Sequence, residues 1–94
     1  MKQEIVIWRA KGLHDKKTGA LLLHLKQEFK YHKGIEFTTT SNSGYGQQDS
    51  GYTVLAAFAT KKFWDNSVGV QRGIAYAAGY FIARYEIKEK LGLL

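Results

Sequence analysis

The 94-residue chain has no cysteine, no proline and a single methionine, Met1. Without cysteine there is no disulfide framework, no thiolate metal site and no thiol nucleophile, and a reducing interior is the simpler setting. Without proline, no helix is stopped or kinked by a missing N–H, so glycine and polar clusters must set the boundaries. Long apolar runs are lacking too. Ile5-Val6-Ile7-Trp8 is too short for the core of a secretion signal. The longest uncharged apolar stretch, from Gly73 to Ala83, would rise only about 16 Å as a helix, roughly half a bilayer core. The expectation is one soluble cytoplasmic domain over residues 1–94 that does not enter a membrane.

Negative charge is scarce where positive charge is dense. The chain carries 14 Lys and Arg against 8 Asp and Glu. Eight of the cations lie in the first 33 residues (Lys2, Arg9, Lys11, Lys16, Lys17, Lys26, Lys30 and Lys33), opposed there only by Glu4, Asp15 and Glu28. That segment therefore holds +5 of the total +6. Clustered positive charge attracts polyanions, of which phosphate backbones are the commonest in a cell. Solvated lysines that keep a small protein soluble give the same composition.

The remaining composition is that of a folded domain, 45% hydrophobic and 14% aromatic. Residues 4–10 are rich in β-branched and aromatic types and read as a strand. Residues 18–33 carry Leu21, Leu25 and Phe29 at helical spacing, with Asp15 or Thr18 as N-cap. Lys30, His32 and Lys33 suit a last turn, and Gly34 with Ile35 suits a left-handed Schellman stop. The same residues also alternate as a strand would, so a four-stranded sheet under one long helix is the competing arrangement. Residues 35–40 and 52–60 read as two more strands, the latter central because it is apolar on both faces. After a connection over 61–66, Asn66 or Ser67 opens a final helix to about Lys90, with a Glu86–Lys90 pair and Gly92 as its stop. The order is β-α-β-β-α. It predicts an α+β domain with a mainly antiparallel three-stranded sheet and two helices on one face. In element order this is similar to a ferredoxin-like unit without its last strand, an analogy that implies no activity.

Four features bear on function. In the final helix Gly69, Gly73 and Ala77 recur every four residues, as do Ala75, Gly79 and Ala83. Such rows permit close packing on the sheet or between protomers, and Gly69, Gly73, Ala77 and Gly79 are the residues expected at a homodimer contact. The stretch Gly44-Tyr45-Gly46-Gln47-Gln48, with Tyr52, matches neither a P-loop nor a dinucleotide fingerprint, but suits a ligand loop that offers backbone N–H groups and stacking surfaces. His24, Glu28 and His32 share a face, yet Lys26 and Lys30 beside them disfavour a divalent cation, and a solvated polar face is expected. No metal or cofactor is expected. Lastly, basic residues alternate with aromatics at Trp8-Arg9, Phe29-Lys30-Tyr31 and Lys61-Lys62-Phe63-Trp64, as on nucleic-acid surfaces.

These features favour a non-catalytic module that binds nucleic acid or a nucleotide-containing assembly, with Arg9, Lys11, Lys16, Lys17, Lys26, Lys30 and Lys33 on phosphates. A second class is a small inhibitor or adaptor, such as a phage accessory protein, that binds an acidic protein. A third is a small phosphate-ester hydrolase or nuclease with His14 or His24 as acid–base and Lys16 or Lys17 stabilising developing charge.

Overall fold

A computed structural model of the chain describes residues 1–42 and 51–94. The elements run β1 (Lys2–Lys11), α1 (Lys16–Glu28), β2 (Ile35–Asn42), β3 (Tyr52–Thr60), α2 (Lys61–Asp65) and α3 (Val68–Lys90). The strands form one sheet in the order β1-β3-β2, with both outer strands antiparallel to β3. β1 and β2 are therefore parallel to each other, and β3 fills the gap that the α1 crossover leaves between them. This is the expected α+β class and element order, and residues 16–28 are helix, not a fourth strand.

Burial alternates along β2 and, apart from buried Ala56, along β3, and shows which face the helices cover. On β3, Thr53, Leu55, Ala57 and Ala59 are buried, and Leu55, Ala57 and Ala59 join Leu21 and Leu25 of α1 and Ile74, Ala78 and Ile82 of α3 in one core. Ile35 and Phe37 of β2 complete it. The spacings Leu21/Leu25 and Ile74/Ala78/Ile82 are single helix faces, which is why two amphipathic helices suffice to cover one side of so small a sheet. Among the described residues no helix covers the other side. There Glu4, Arg9 and Lys11 of β1 and Glu36, Thr38, Thr40 and Asn42 of β2 are exposed. Strand β3 is thus central, as expected, and on its second face Ala56 is buried while Val54 and Phe58 are half-buried, with no helix of the described residues over them.

Several local expectations are corrected. Helix α1 ends at Glu28, five residues before Lys33, with Phe29 as its C-cap. Phe29 packs near Phe37, ring centroids 5.8 Å apart, and against Gly73. That anchoring turns the chain towards β2 before Lys30 can enter a last turn. Gly34 is not among the left-handed residues. It is glycine because a Cβ there would overlap the Phe63 ring. The connection after β3 contains helix α2, capped by the Thr60 side chain, which accepts from the Phe63 N–H at 3.1 Å. In α3 the expected Glu86–Lys90 pair gives way to Lys17 of α1, whose Nζ lies 3.9 Å from Glu86 and 3.6 Å from Glu89. Asp15 is the N-cap of α1, its carboxylate accepting from the N–H and hydroxyl of Thr18. Gly92, at φ +70°, does end α3. Among the described residues no helix is long and apolar enough to cross a membrane.

Candidate functional site on the open sheet face

The antiparallel pairings define two ends of the sheet. Lys11, Asn42 and Tyr52 lie across from one another at the upper end, and Lys2, Ile35 and Thr60 lie at the lower end. The upper end is built by a polar hub under the sheet. Thr53, 2% exposed, donates its hydroxyl to the Gly12 carbonyl at 2.7 Å and accepts from the Asp15 N–H at 3.2 Å. The Ser41 hydroxyl lies 3.3 Å from that of Thr53 and accepts from the His14 N–H at 3.1 Å. Gly12, at φ +90°, donates to the Gly51 carbonyl, closing the ladder between β1 and β3. His14 is held at φ +54°, a left-handed position that non-glycine residues seldom adopt. One buried threonine therefore fixes the β1–α1 turn to both neighbouring strands.

Above this hub, on the open face, the Arg9 guanidinium lies 4.1 Å from the centroid of the Tyr52 ring. Arg9 pairs with Val54 and Lys11 with Tyr52 in the ladder, so the four side chains share one face. Down the same face of β3 follow Val54, Ala56 and Phe58, with Val6 of β1 beside them, 56% exposed. An apolar and aromatic track thus runs along β3 on this face, flanked on β2 by the hydroxyls of Thr38 and Thr40 and the amide of Asn42. Charge along the track is uneven. At the lower end Lys2 is tied to Glu36 at 2.6 Å. Among the described residues neither Arg9 nor Lys11 has a carboxylate partner within 4 Å, so within that set the positive charge of the track lies at its upper end.

The seven cations expected to contact phosphate form no single patch. Arg9 and Lys11 are on the open face at the upper end. Lys16 opens α1 at that end, and Lys17 points to α3. Lys26 and Lys30 lie at the lower end, where with Phe29, His32 and Glu36 they line a groove of about 360 Å³. Lys16 and Lys26 are ten residues apart on α1, about 15 Å. Lys33 follows them in the turn before β2, and the Lys30 ammonium lies 5.1 Å from the Tyr31 ring centroid. Lys61, also at this end, is held above the ordinary lysine range by its hydrogen bond and charge contact with Asp65.

The other expected sites are placed as follows. Tyr52 belongs to the open face, and Gly44, Tyr45, Gly46, Gln47 and Gln48 lie outside the described residues. Gly73 faces inward, where an added Cβ would meet Phe29 at 3.3 Å, and Ala77 packs beside the core. Gly69 and Gly79 face open space. His24 stacks on Phe81 with ring centroids 4.8 Å apart and an interplanar angle of 24°, while His32 sits beside Phe29. Among the described residues no three His, Asp or Glu side chains converge as metal ligands would. His14 lies in the β1–α1 turn, and His24 lies within α1.

Charge distribution along the sequence pointed to the first 33 residues but could not say which cations share a face. The signal for Phe58 and Val54 was in the sequence: β3 is apolar at the successive outward positions Val54, Ala56 and Phe58, and two amphipathic helices cover only one side of a sheet. No protein-family model matches the chain, and neither a curated protein nor a solved structure matches it.

Proposed function

We propose that the chain is a non-catalytic module that binds single-stranded nucleic acid across the open face of its sheet. The observation that carries this reading is the Arg9–Tyr52 stack beside Lys11, at the charged end of the apolar track along β3. A sheet face over which the described residues place no helix is poorly shaped for a duplex groove and better shaped for splayed bases. Every base has a π-face, so aromatic stacking is sequence-tolerant and contributes about 1–3 kcal/mol per base. A base stacks on the Arg9 guanidinium or replaces it on Tyr52, and a second lies against Phe58. Lys11 and Arg9 neutralise phosphates, and Thr38, Thr40 and Asn42 offer hydrogen bonds to sugar and base edges. Lys16, at the same end, extends the contact. Lys17 is engaged by Glu86 and Glu89 and contributes little. Lys26, Lys30 and Lys33 attract a polyanion from the far end without touching the same bases.

Photo-crosslinking to a uridine-rich oligonucleotide, followed by peptide mapping, tests the placement. Adducts are expected on Tyr52 and Phe58. Adducts confined to α1 or to the Lys26–Lys30 groove would refute the sheet-face reading.

A further inference from the structure

We infer that a second copy of the chain docks along the outer edge of β1, making a continuous six-stranded sheet through antiparallel β1–β1 pairing. This stands independently of the nucleic-acid reading. Among the described residues β1 has a neighbour on one side only. Its middle, Ile5-Val6-Ile7-Trp8, is apolar, and an apolar edge strand is a template for another strand unless something blocks it. Strand β2 is the other edge, but its outer half is Thr38 to Asn42, polar throughout. Beside β1 a groove of about 450 Å³ runs between Ile7 and Trp8 below and Ala75, Gly79 and Ala83 of α3 above. The Trp8 indole N–H is buried at this edge with no acceptor among the described residues.

The sequence of β1 selects both the occupant and the register. Its pairing with β3 slips by one residue between Val6 and Trp8. That bulge shifts the alternation. Gln3, Ile5 and Ile7 point to the helices before it, and Trp8 and Ala10 after it. Glu4 and Val6 point to the open face before it, and Arg9 and Lys11 after it. Two copies paired antiparallel must set inward residues opposite inward ones. One register does so along the whole overlap: Ile7 opposite Trp8, Val6 opposite Arg9, Ile5 opposite Ala10 and Glu4 opposite Lys11, each pair occurring twice about the dyad. The strand is thus complementary to itself in facing and in charge, with two Glu4–Lys11 pairs and no like charges opposed. Slipping the pairing by one residue in each copy puts exposed Val6 opposite inward Ile7 and Lys2 opposite Lys11.

The helix layer fits the same geometry. Paired strands lie about 4.8 Å apart, whereas packed helices usually need about 8–10 Å. Helices above two neighbouring β1 strands are therefore crowded together, and only a flank of glycine and alanine tolerates it. The exposed flank of α3 beside β1 is the row Ala75, Gly79, Ala83. The inward row, by contrast, contains Gly73 and Ala77 and serves the packing of α1 on α3.

Sedimentation of four variants tests this. A Cβ at Gly79 meets nothing within 4 Å in the single chain. Gly79→Leu should therefore keep the far-ultraviolet circular dichroism of the wild type while blocking the approach of a second α3. The wild type should sediment as a dimer at tens of micromolar and Gly79→Leu as a folded monomer. Glu4→Lys and Lys11→Glu should each dissociate the dimer by at least tenfold, and the double exchange Glu4→Lys/Lys11→Glu should restore it. A monomeric wild type overturns the proposal, as does a dimer that survives Gly79→Leu or Glu4→Lys. Failure of the double exchange to recover overturns the register.

Discussion

Replacing Thr53 by valine should cost about 2–3 kcal/mol of folding stability, although the two side chains have nearly the same volume. Thr53 is 2% exposed and its hydroxyl is the centre of the upper hub. Valine removes a donor to the Gly12 carbonyl at 2.7 Å and an acceptor for the Asp15 N–H at 3.2 Å. A hydrogen bond contributes about 0.5–1.5 kcal/mol net, and a buried group left unpaired costs about 1–3 kcal/mol. Gly12 and Asp15 are only half-buried, so water recovers part of the loss and the sum falls short of two full penalties. Valine suits a strand at least as well as threonine, which removes propensity as an explanation. For a domain of this size the change corresponds to a fall in Tm of roughly 4–8 °C per kcal/mol. Urea unfolding followed by tryptophan fluorescence measures it, with Thr53→Ser as the control that keeps the hydroxyl. Wild-type stability in Thr53→Val, or an equal loss in Thr53→Ser, would refute the hub.

Other substitutions probe the remaining supports. Asp15→Ala removes the N-cap of α1, whose carboxylate accepts from the Thr18 N–H at 2.8 Å, and should cost about 1 kcal/mol in thermal unfolding. Gly34→Ala forces the Phe63 ring aside and should cost about 1–3 kcal/mol by overpacking; a neutral result would mean that the ring moves freely. Lys61→Ala should leave the unfolding midpoint unchanged within error, because its bond to Asp65 is exposed at the surface.

How far the sequence carried these conclusions differs by element. Strand β3 was legible to the residue because Gly51 precedes it and the Lys61-Lys62 pair follows it. Helix α1 was legible in kind but not in length. The Lys30 to Gly34 segment imitates a helix terminus, and only the contacts of Phe29 with Phe37 and Gly73 show why the chain leaves earlier. Helix α2 is five residues long and carries too little periodicity to register. Glycines in α3 read alike in sequence, yet Gly73 answers to Phe29 and Gly79 to open space. The candidate site was visible as charge and aromatics but not as a surface. Lys16 and Lys17 are adjacent in sequence, yet Lys17 reaches Glu86 and Glu89 while Lys16 is exposed at the start of α1, whereas Arg9 and Tyr52, 43 positions apart, are stacked. The bulge in β1 has no signal in composition, and it decides which residues of that strand share a face.

Binding of single-stranded nucleic acid across the sheet face, as proposed, would combine stacking with a few phosphate contacts. Fluorescence anisotropy of a labelled single strand at about 50 and 200 mM salt tests it, because each neutralised phosphate contributes about −0.7 to the log–log slope. With Arg9, Lys11 and Lys16 engaged, the slope should be near −2, so affinity should fall roughly 10- to 20-fold between the two salts. Tyr52→Ala should weaken binding by about 1–3 kcal/mol at both salts while leaving that slope unchanged, since it removes stacking and no charge. Absence of binding at the lower salt, or equal affinity in wild type and Tyr52→Ala, would contradict the account.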